Sequence, residues 1–312
     1  MKLSIIIVTY NNQDEINQCL LSCTQKINNL ESEILVVDNS SSDKTVDIVK
    51  SYPQVKLIQN KTNRYYAAGC NQALNLALGK YILLLNPDTV IIDNTIQKMI
   101  DFLEQNSAIA VVGPRNFDQF GEPIISVYPQ INVLDILQEG NLTYAISPYR
   151  PILSKLVYRY QFRNLCFFGI KPQAVGWVSG AGLLIRKKVA DFLGPKDQRF
   201  FSYGEEADWL WNLDRANQKV YYLPSAEIVH LSATSVKKNW QILSYRIKSS
   251  YYNRIEFCQK HFPRWIFLLE FVIAWELILK IIYRALLTWD KDERKIRLKT
   301  YYDLVKWNSF RK

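Results

Sequence analysis

The sequence predicts an α/β protein: a doubly wound, mostly parallel half-sheet of nucleotide-binding topology followed by a C-terminal helical appendage. Three observations carry this. Apolar runs alternate with helical patterns through the first 113 residues. Polar residues and acids stand just past the carboxyl ends of those runs. The last 80 or so residues turn into a basic, tryptophan-bearing helical pattern.

Strands are expected at Leu3–Thr9, Glu33–Val37, Val55–Gln59, Tyr81–Leu85 and Ile109–Val112. Helices are expected between them at Gln13–Lys26, Lys44–Ser51, Tyr66–Leu78 and Asn94–Gln105, lengths that suit right-handed parallel crossovers. Tyr81-Ile-Leu-Leu-Leu85 is apolar on both faces, as a central strand covered by helices on both sides must be, and Pro87 ends its ladder. Asp88 then stands where open α/β sheets collect ligands. The alternative, that Asp88 only caps the helix beginning near Asp93, stays open. No G-x-G-x-x-G follows the first strand and no P-loop occurs, which disfavours a dehydrogenase or an NTPase.

The other strand ends are equally polar: Thr9-Tyr10-Asn11-Asn12, Asp38 to Asp43, and Asn60 to Asn63. All point at one crevice, in which Asp38 can accept from a base or ribose, Tyr10 can stack and Asp88 can hold a divalent cation against phosphates. Ser42 and Asp43 are equally explained as caps of the next helix. From Arg115 to about Val175 the pattern loosens, with an amphipathic helix expected at Pro151–Phe168, as in an acceptor-side insertion or a membrane-facing flap.

Order returns at Trp177–Arg186, a strand whose Gly180 and Gly182 let backbone approach a ligand closely. Glu205, Glu206 and Asp208 then open a helix expected over Asp208–Asn217. Acids are favoured at a helix start, but three in four residues exceed what a cap requires. They read as a catalytic turn, one acid held by its neighbours and the other free to take a proton. Val220–Leu223 leads through Pro224 to His230, which stands within reach of a metal site.

At 312 residues and 48% hydrophobic content the chain is able to bury a large core. Five scattered cysteines and two histidines indicate neither a disulfide framework nor a zinc cage, so a reducing cytoplasm is the expected setting. The first residues read as a strand, not a signal peptide. The net charge of +10 lies in the tail: residues 1–230 hold 22 bases and 22 acids, residues 231–312 hold 17 and 7. A neutral body with a basic end points to anionic lipid and away from nucleic acid. In Arg264–Trp289, Glu270, Glu276, Lys280 and Arg284 fall within roughly 120° of one another at 100° per residue. One narrow polar stripe with Trp265, Trp275, Trp289 and basic flanks suits a membrane interface better than a span. A helix that packs within its own domain, or makes an oligomer contact such as a homodimer, is the competing reading.

In their order, Ile6-Ile-Val-Thr-Tyr-Asn11, Val36-Val-Asp38-Asn-Ser-Ser-Ser-Asp43, Leu83-Leu-Leu-Asn86-Pro-Asp88-Thr, Trp177-Val-Ser-Gly180-Ala181 and Tyr203-Gly-Glu-Glu206-Ala-Asp208 resemble family 2 glycosyltransferases of the GT-A fold. The resemblance covers roughly Leu3 to Ser235, and Asn86-Pro-Asp-Thr is most similar to the bacterial rhamnosyltransferase branch that builds surface polysaccharides. It implies an inverting enzyme that uses a nucleotide-diphosphate sugar, such as dTDP-rhamnose or a UDP-sugar, with Mg²⁺ or Mn²⁺. Thr9, Tyr10, Asn11, Asp38, Asn63, Asn86, Gly180 and Ala181 would then line the donor. Asp88 is the implied metal ligand with His230 as its helper, Glu206 the general base, and Glu205 and Asp208 its supporting acids. Tyr65 stands where the family commonly has glycine, and Asn212 where it usually has arginine. The expected organisation is a transferase domain over 1–235, divided at 113 into nucleotide-binding and acceptor-side halves, and a membrane-associating tail over 236–312. The acceptor would be a glycan or lipid-linked hydroxyl at the inner face of the cell membrane. A catalytically inactive scaffold is the alternative. A sugar nucleotidyltransferase is a weaker one, because Tyr10-Asn11-Asn12-Gln13 is no triphosphate loop.

Overall fold

A computed structural model of the chain describes residues 1–27, 30–128, 130–131, 133–138, 169–200, 204–231, 240–287 and 291–309. The helix expected at Pro151–Phe168 lies outside the described residues, as do Cys166 and Trp289. The described residues fall into two compact units, one of Met1–Gln130, Phe162–Gln198 and Glu205–Val236, the other of Ile131–Gln161, Arg199–Gly204 and Lys237–Lys312.

The first unit opens with the expected alternation: β1 (Leu3–Thr9), α1 (Ile16–Lys26), β2 (Ser32–Asp38), α2 (Thr45–Lys50), β3 (Val55–Gln59), α3 (Tyr65–Leu76), β4 (Tyr81–Leu85), β5 (Thr89–Ile91), α4 (Thr95–Gln105) and β6 (Ile109–Phe117). β7 (Pro123–Ile124), β8 (Val127–Tyr128), β9 (Gln173–Val175), β10 (Trp177–Val178), β11 (Gly182–Arg186) and β12 (Lys219–His230) complete its strands. The main sheet runs β3-β2-β1-β4-β11-β6-β12-β5. β3, β2, β1 and β4 are parallel, as are β6 and β12, while β11 runs antiparallel between β4 and β6. The mixed α/β class is therefore as expected, with one strand that reverses the ladder at its centre.

Strand alternation divides the core between the two faces of the sheet. Leu3, Ile5, Ile7, Tyr81, Leu83 and Leu85 pack into one buried cluster, and Ile6, Val8, Ile82 and Leu84 into the other. This is why β1 and β4 read as unbroken apolar runs. Glu33 fixes the opposite end of the sheet: it accepts from Ser4 Oγ (2.7 Å), Leu78 N (2.8 Å) and Lys56 Nζ (2.8 Å). Burial would raise its carboxyl, but these donors hold it below the ordinary glutamate value.

Two details differ from the expected strands. Trp177–Arg186 is not one strand: β10 pairs with β8 in a separate ribbon, and the turn 179–181 precedes β11. β12 is one strand across Pro224, because the register shift between Leu223 and Glu227 absorbs the missing N–H. In the first unit, α6 (Lys187–Leu193) follows β11, and α7 (Glu205–Leu210), followed by a 3₁₀ turn at Trp211–Ala216, replaces the longer helix expected there.

The second unit holds α5 (Val133–Gln138) and three long helices, α8 (Trp240–His261), α9 (Ile266–Leu287) and α10 (Lys291–Ser309). In α9 the polar stripe turns inward. Glu276 is buried, its Oε2 3.1 Å from Arg254, its Oε1 bonded to Tyr251 and Lys280. Arg254 also donates from Nε and a terminal nitrogen to Ile136 O at 3.1 and 2.9 Å. The polar stripe thus faces the other helices of its unit. Phe267 (79% exposed), Phe271 (69%), Trp275, Ile278, Ile282 and Leu286 (76%) face outward. No helix among the described residues is long and apolar enough to cross a membrane.

Candidate active site

Thr9 and Asp38 are register partners at the carboxyl ends of β1 and β2, so parallel pairing alone brings them together. The loops after them lock by side chains. Asn11, in the left-handed region at φ 55°, accepts from Ser42 N at 2.8 Å, and its own N–H donates to Ser41 Oγ at 2.9 Å. Asn12 and Gln13 donate from their backbone to Thr45 and Asp43. Asp38 is buried, its Oδ2 accepting from Ser40 N (3.1 Å) and Ser41 N (3.0 Å) and its Oδ1 from Ser41 Oγ. Three of roughly four acceptor positions on that carboxylate are spent on its own loop. Thr9 Oγ1 donates to Asn12 Oδ1 at 3.1 Å, whereas Tyr10 is 49% exposed at the mouth.

Asn63 serves the turn into α3, accepting from Tyr65 N at 2.8 Å. Tyr65 has φ 64°, a conformation in which glycine costs nothing and tyrosine is strained. Asn39 Nδ2 donates to Tyr65 O at 3.2 Å and helps hold it there. Sequence reasoning passed over Asn39 as one polar loop residue among several.

Asp88 and His230 lie together: His230 Nε2 is 3.1 Å from Asp88 Oδ1. Antiparallel pairing of Thr89 with His230 and the bond from Leu231 N to Asp88 O (2.8 Å) fix the two ends side by side. The Asp88 carboxylate is the ligand type that suits Mg²⁺ or Mn²⁺, and the His230 imidazole beside it would be the secondary donor. Asn86 stands beside them, its N–H 3.5 Å from Ala181 O and its carbonyl facing the Cys19 thiol. No group of three or more potential metal-ligating side chains occurs among the described residues.

Glu205, Glu206 and Asp208 are all buried in α7. A Cβ built on Gly180 would lie 2.3 Å from Glu206 Oε1 and 2.9 Å from Tyr66 Oη, so the glycine makes room for this acid. The counter-charge is Lys196, whose side chain is completely buried with Nζ 3.9 Å from Glu206 Oε1. The ammonium sits over the rings of Trp209 (4.8 Å) and Tyr66 (5.5 Å). Asn71 clamps the Lys196 backbone from α3, donating to its carbonyl and accepting from its N–H, both at 2.8 Å. Burial, then the charge of Glu206, push the Glu205 carboxyl up to about 8 against the pull of Lys196. Glu205 Oε2 has no hydrogen-bond partner among the described residues. Lys196 thus lies against Glu206, the acid expected to be free of its neighbours, while Glu205 is the one whose carboxyl burial raises. Nothing in Pro195-Lys196-Asp197 marks a buried cation, because its bracket lies 125 residues away in α3.

These groups share one end of the sheet. Gly182 pairs with Leu85, so Gly180 lies beside the carboxyl end of β4 and its Asn86–Asp88 turn. Gly180, against which Glu206 packs, thus lies near the turn that carries Asp88.

Residues 4–165 match the profile of Glycosyl transferase family 2, about half of the chain. Over 250 residues the chain is 27% identical to the N-acetylglucosaminyl-diphospho-decaprenol L-rhamnosyltransferase of Mycobacterium tuberculosis, covering 76% of this chain and 78% of that one. Two solved structures share the fold. The mannosyltransferase PcManGT of Pyrobaculum calidifontis, in complex with GDP-Man and Mn²⁺, has a TM-score of 0.57 at 14% identity over 98% of this chain and 87% of its own. Residues 1–349 of TarS from S. aureus give 0.51 at 16% identity over 98% and 90%.

Proposed function

Because the chain belongs to glycosyl transferase family 2, we propose that it moves a sugar from a nucleotide-diphosphate donor to a hydroxyl of a glycan or lipid-linked acceptor in surface polysaccharide synthesis, with inversion at the anomeric carbon. The observation that carries this reading is the placement of Glu206 against Gly180, beside the turn that presents Asp88. The rhamnosyltransferase likeness makes dTDP-rhamnose the first donor to try, with UDP-sugars next.

In this reading the loops after β1 and β2 receive the base and ribose, with Tyr10 at their mouth. Glu206 takes the proton of the acceptor hydroxyl, and the freed oxygen attacks the sugar from the face opposite the nucleotide. Asp88, with His230 beside it, would hold the cation. A divalent ion bound there supplies positive charge against the departing diphosphate. Thermal stabilisation by dTDP, UDP or GDP compounds, with and without Mn²⁺, tests the site, and a complete absence of metal-dependent stabilisation counts against it.

The second unit carries the membrane half of the proposal: the outward apolar face of α9, flanked by a basic chain end, docks on anionic lipid at the inner face of the membrane. Replacing Phe267, Phe271 and Leu286 together by serine is expected to leave the protein in the supernatant when vesicles rich in phosphatidylglycerol are sedimented. Undiminished co-sedimentation of that variant refutes the docking face.

A further inference from the structure

Resting on that reading, we infer that Lys196 is a positioning residue for the transfer: its buried ammonium holds the Glu206 carboxylate over Gly180 and sets the lowest pH at which that carboxylate is ready to take the acceptor's proton.

A lysine normally threads its stem along apolar surface and keeps its ammonium in water. Lys196 does the reverse: its side chain has no exposure and its Nζ has no hydrogen-bond partner among the described residues. An apolar side chain would fill the space between Trp209 and Tyr66 without the desolvation penalty, so packing does not account for a cation here. Its location is fixed from two sides, by the paired backbone bonds from Asn71 and by the faces of the two rings.

Glu206 shares α7 with two further buried acids, Glu205 and Asp208. Lys196 faces it from the loop after α6, Tyr66 and Cys70 from α3, and Glu205 from its own helix. Tyr66 and Cys70 are neutral at any working pH, since burial pushes the phenol well up and the thiol to about 12. With the Glu205 carboxyl raised to about 8, the Lys196 ammonium is the cation set against Glu206. During transfer the acceptor O–H bond breaks and a Glu206 O–H bond forms. The acceptor oxygen bonds to the anomeric carbon as the bond from that carbon to the diphosphate oxygen breaks, and the electron pair of that carbon–oxygen bond leaves with the nucleotide diphosphate. Lys196 favours the ionised Glu206 and opposes its protonation, which extends activity to lower pH and moderates the base's strength.

The test is the pH dependence of kcat/KM for full-length wild type, Lys196→Met and Lys196→Arg, read as hydrolysis or transfer of whichever of dTDP-rhamnose and UDP-N-acetylglucosamine the wild type consumes. Methionine is expected to move the acid limb up by about one pH unit or more, with the donor's KM little changed, and arginine to restore much of the wild-type limb. An acid limb unmoved in Lys196→Met overturns the inference. If Glu206→Gln is inactive while the methionine limb stays put, the Lys196 role fails and the transferase reading survives. If Glu206→Gln matches the wild type, the reading itself fails. Where the methionine variant does not fold or the wild type consumes neither donor, carboxyl ¹³C titration of the wild type decides. One protonated and one ionised glutamate in this cluster at pH 7 support the arrangement, and two ionised ones overturn it.

Discussion

Glu206→Gln is expected to lower sugar transfer by about 10²–10⁴-fold while donor binding is retained, the range lost when a positioned proton acceptor is removed. Glutamine keeps the length and volume of the side chain over Gly180 and takes away only its ability to hold the acceptor's proton. Stripping the partner from a buried ammonium ordinarily costs about 3–5 kcal/mol. Here a reserve exists: the charge of Glu206 is one of the causes that keep Glu205 protonated, so in the variant Glu205 ionises more readily and supplies the charge opposite Lys196. The variant should therefore fold, and loss of transfer with an undiminished response to nucleotide in thermal melts is the expected pair of readings. Unchanged transfer would remove Glu206 from the chemistry.

Gly180→Ala tests position instead of charge. The added methyl would meet Glu206 Oε1 at 2.3 Å and Tyr66 Oη at 2.9 Å, distances no packed structure tolerates. Both contacts are with the ends of side chains, so the expected response is a swing of the carboxylate away from the turn at Asn86–Asp88 with the strands left in place. Misplacement by about 1 Å costs about 10²-fold in rate. The expected result is a fall in kcat of about that size with little change in melting temperature, measured side by side with Glu206→Gln. Full activity in Gly180→Ala would show that Glu206 is not needed where the glycine leaves room for it.

The half-sheet was legible because its information is local. β1, β2 and β4 bury nearly every residue on both faces, and such runs announce a central parallel strand without reference to anything distant. The polar ends that converge were legible for the same reason, since a parallel sheet puts all its carboxyl ends on one side. Asp88 and His230 were singled out by residue type and place, and the β5–β12 pairing brings them within 3.1 Å. What stayed hidden depends on partners far along the chain. The direction of β11 is set by β4 and β6, not by its own five residues. Lys196 looks like a surface lysine until Asn71 draws it in. Periodicity located one polar stripe on α9 but not the side it faces. That is decided by Arg254, which needs a buried acid and finds Glu276.

The reversed strand has a consequence for the newborn chain. β1, β2, β3 and β4 are complete by residue 85, but the ladder along the free side of β4 is closed only by residues 182–186. At about 5–20 residues per second, translation leaves that apolar edge unpaired for roughly 5–20 s, long enough for contact with neighbouring chains on a crowded polysome. Synthesis of this protein should accordingly lean on the ribosome-bound chaperone during that window, and stalling translation near residue 130 should give an aggregation-prone intermediate in which only β1 and β2 are paired on both sides.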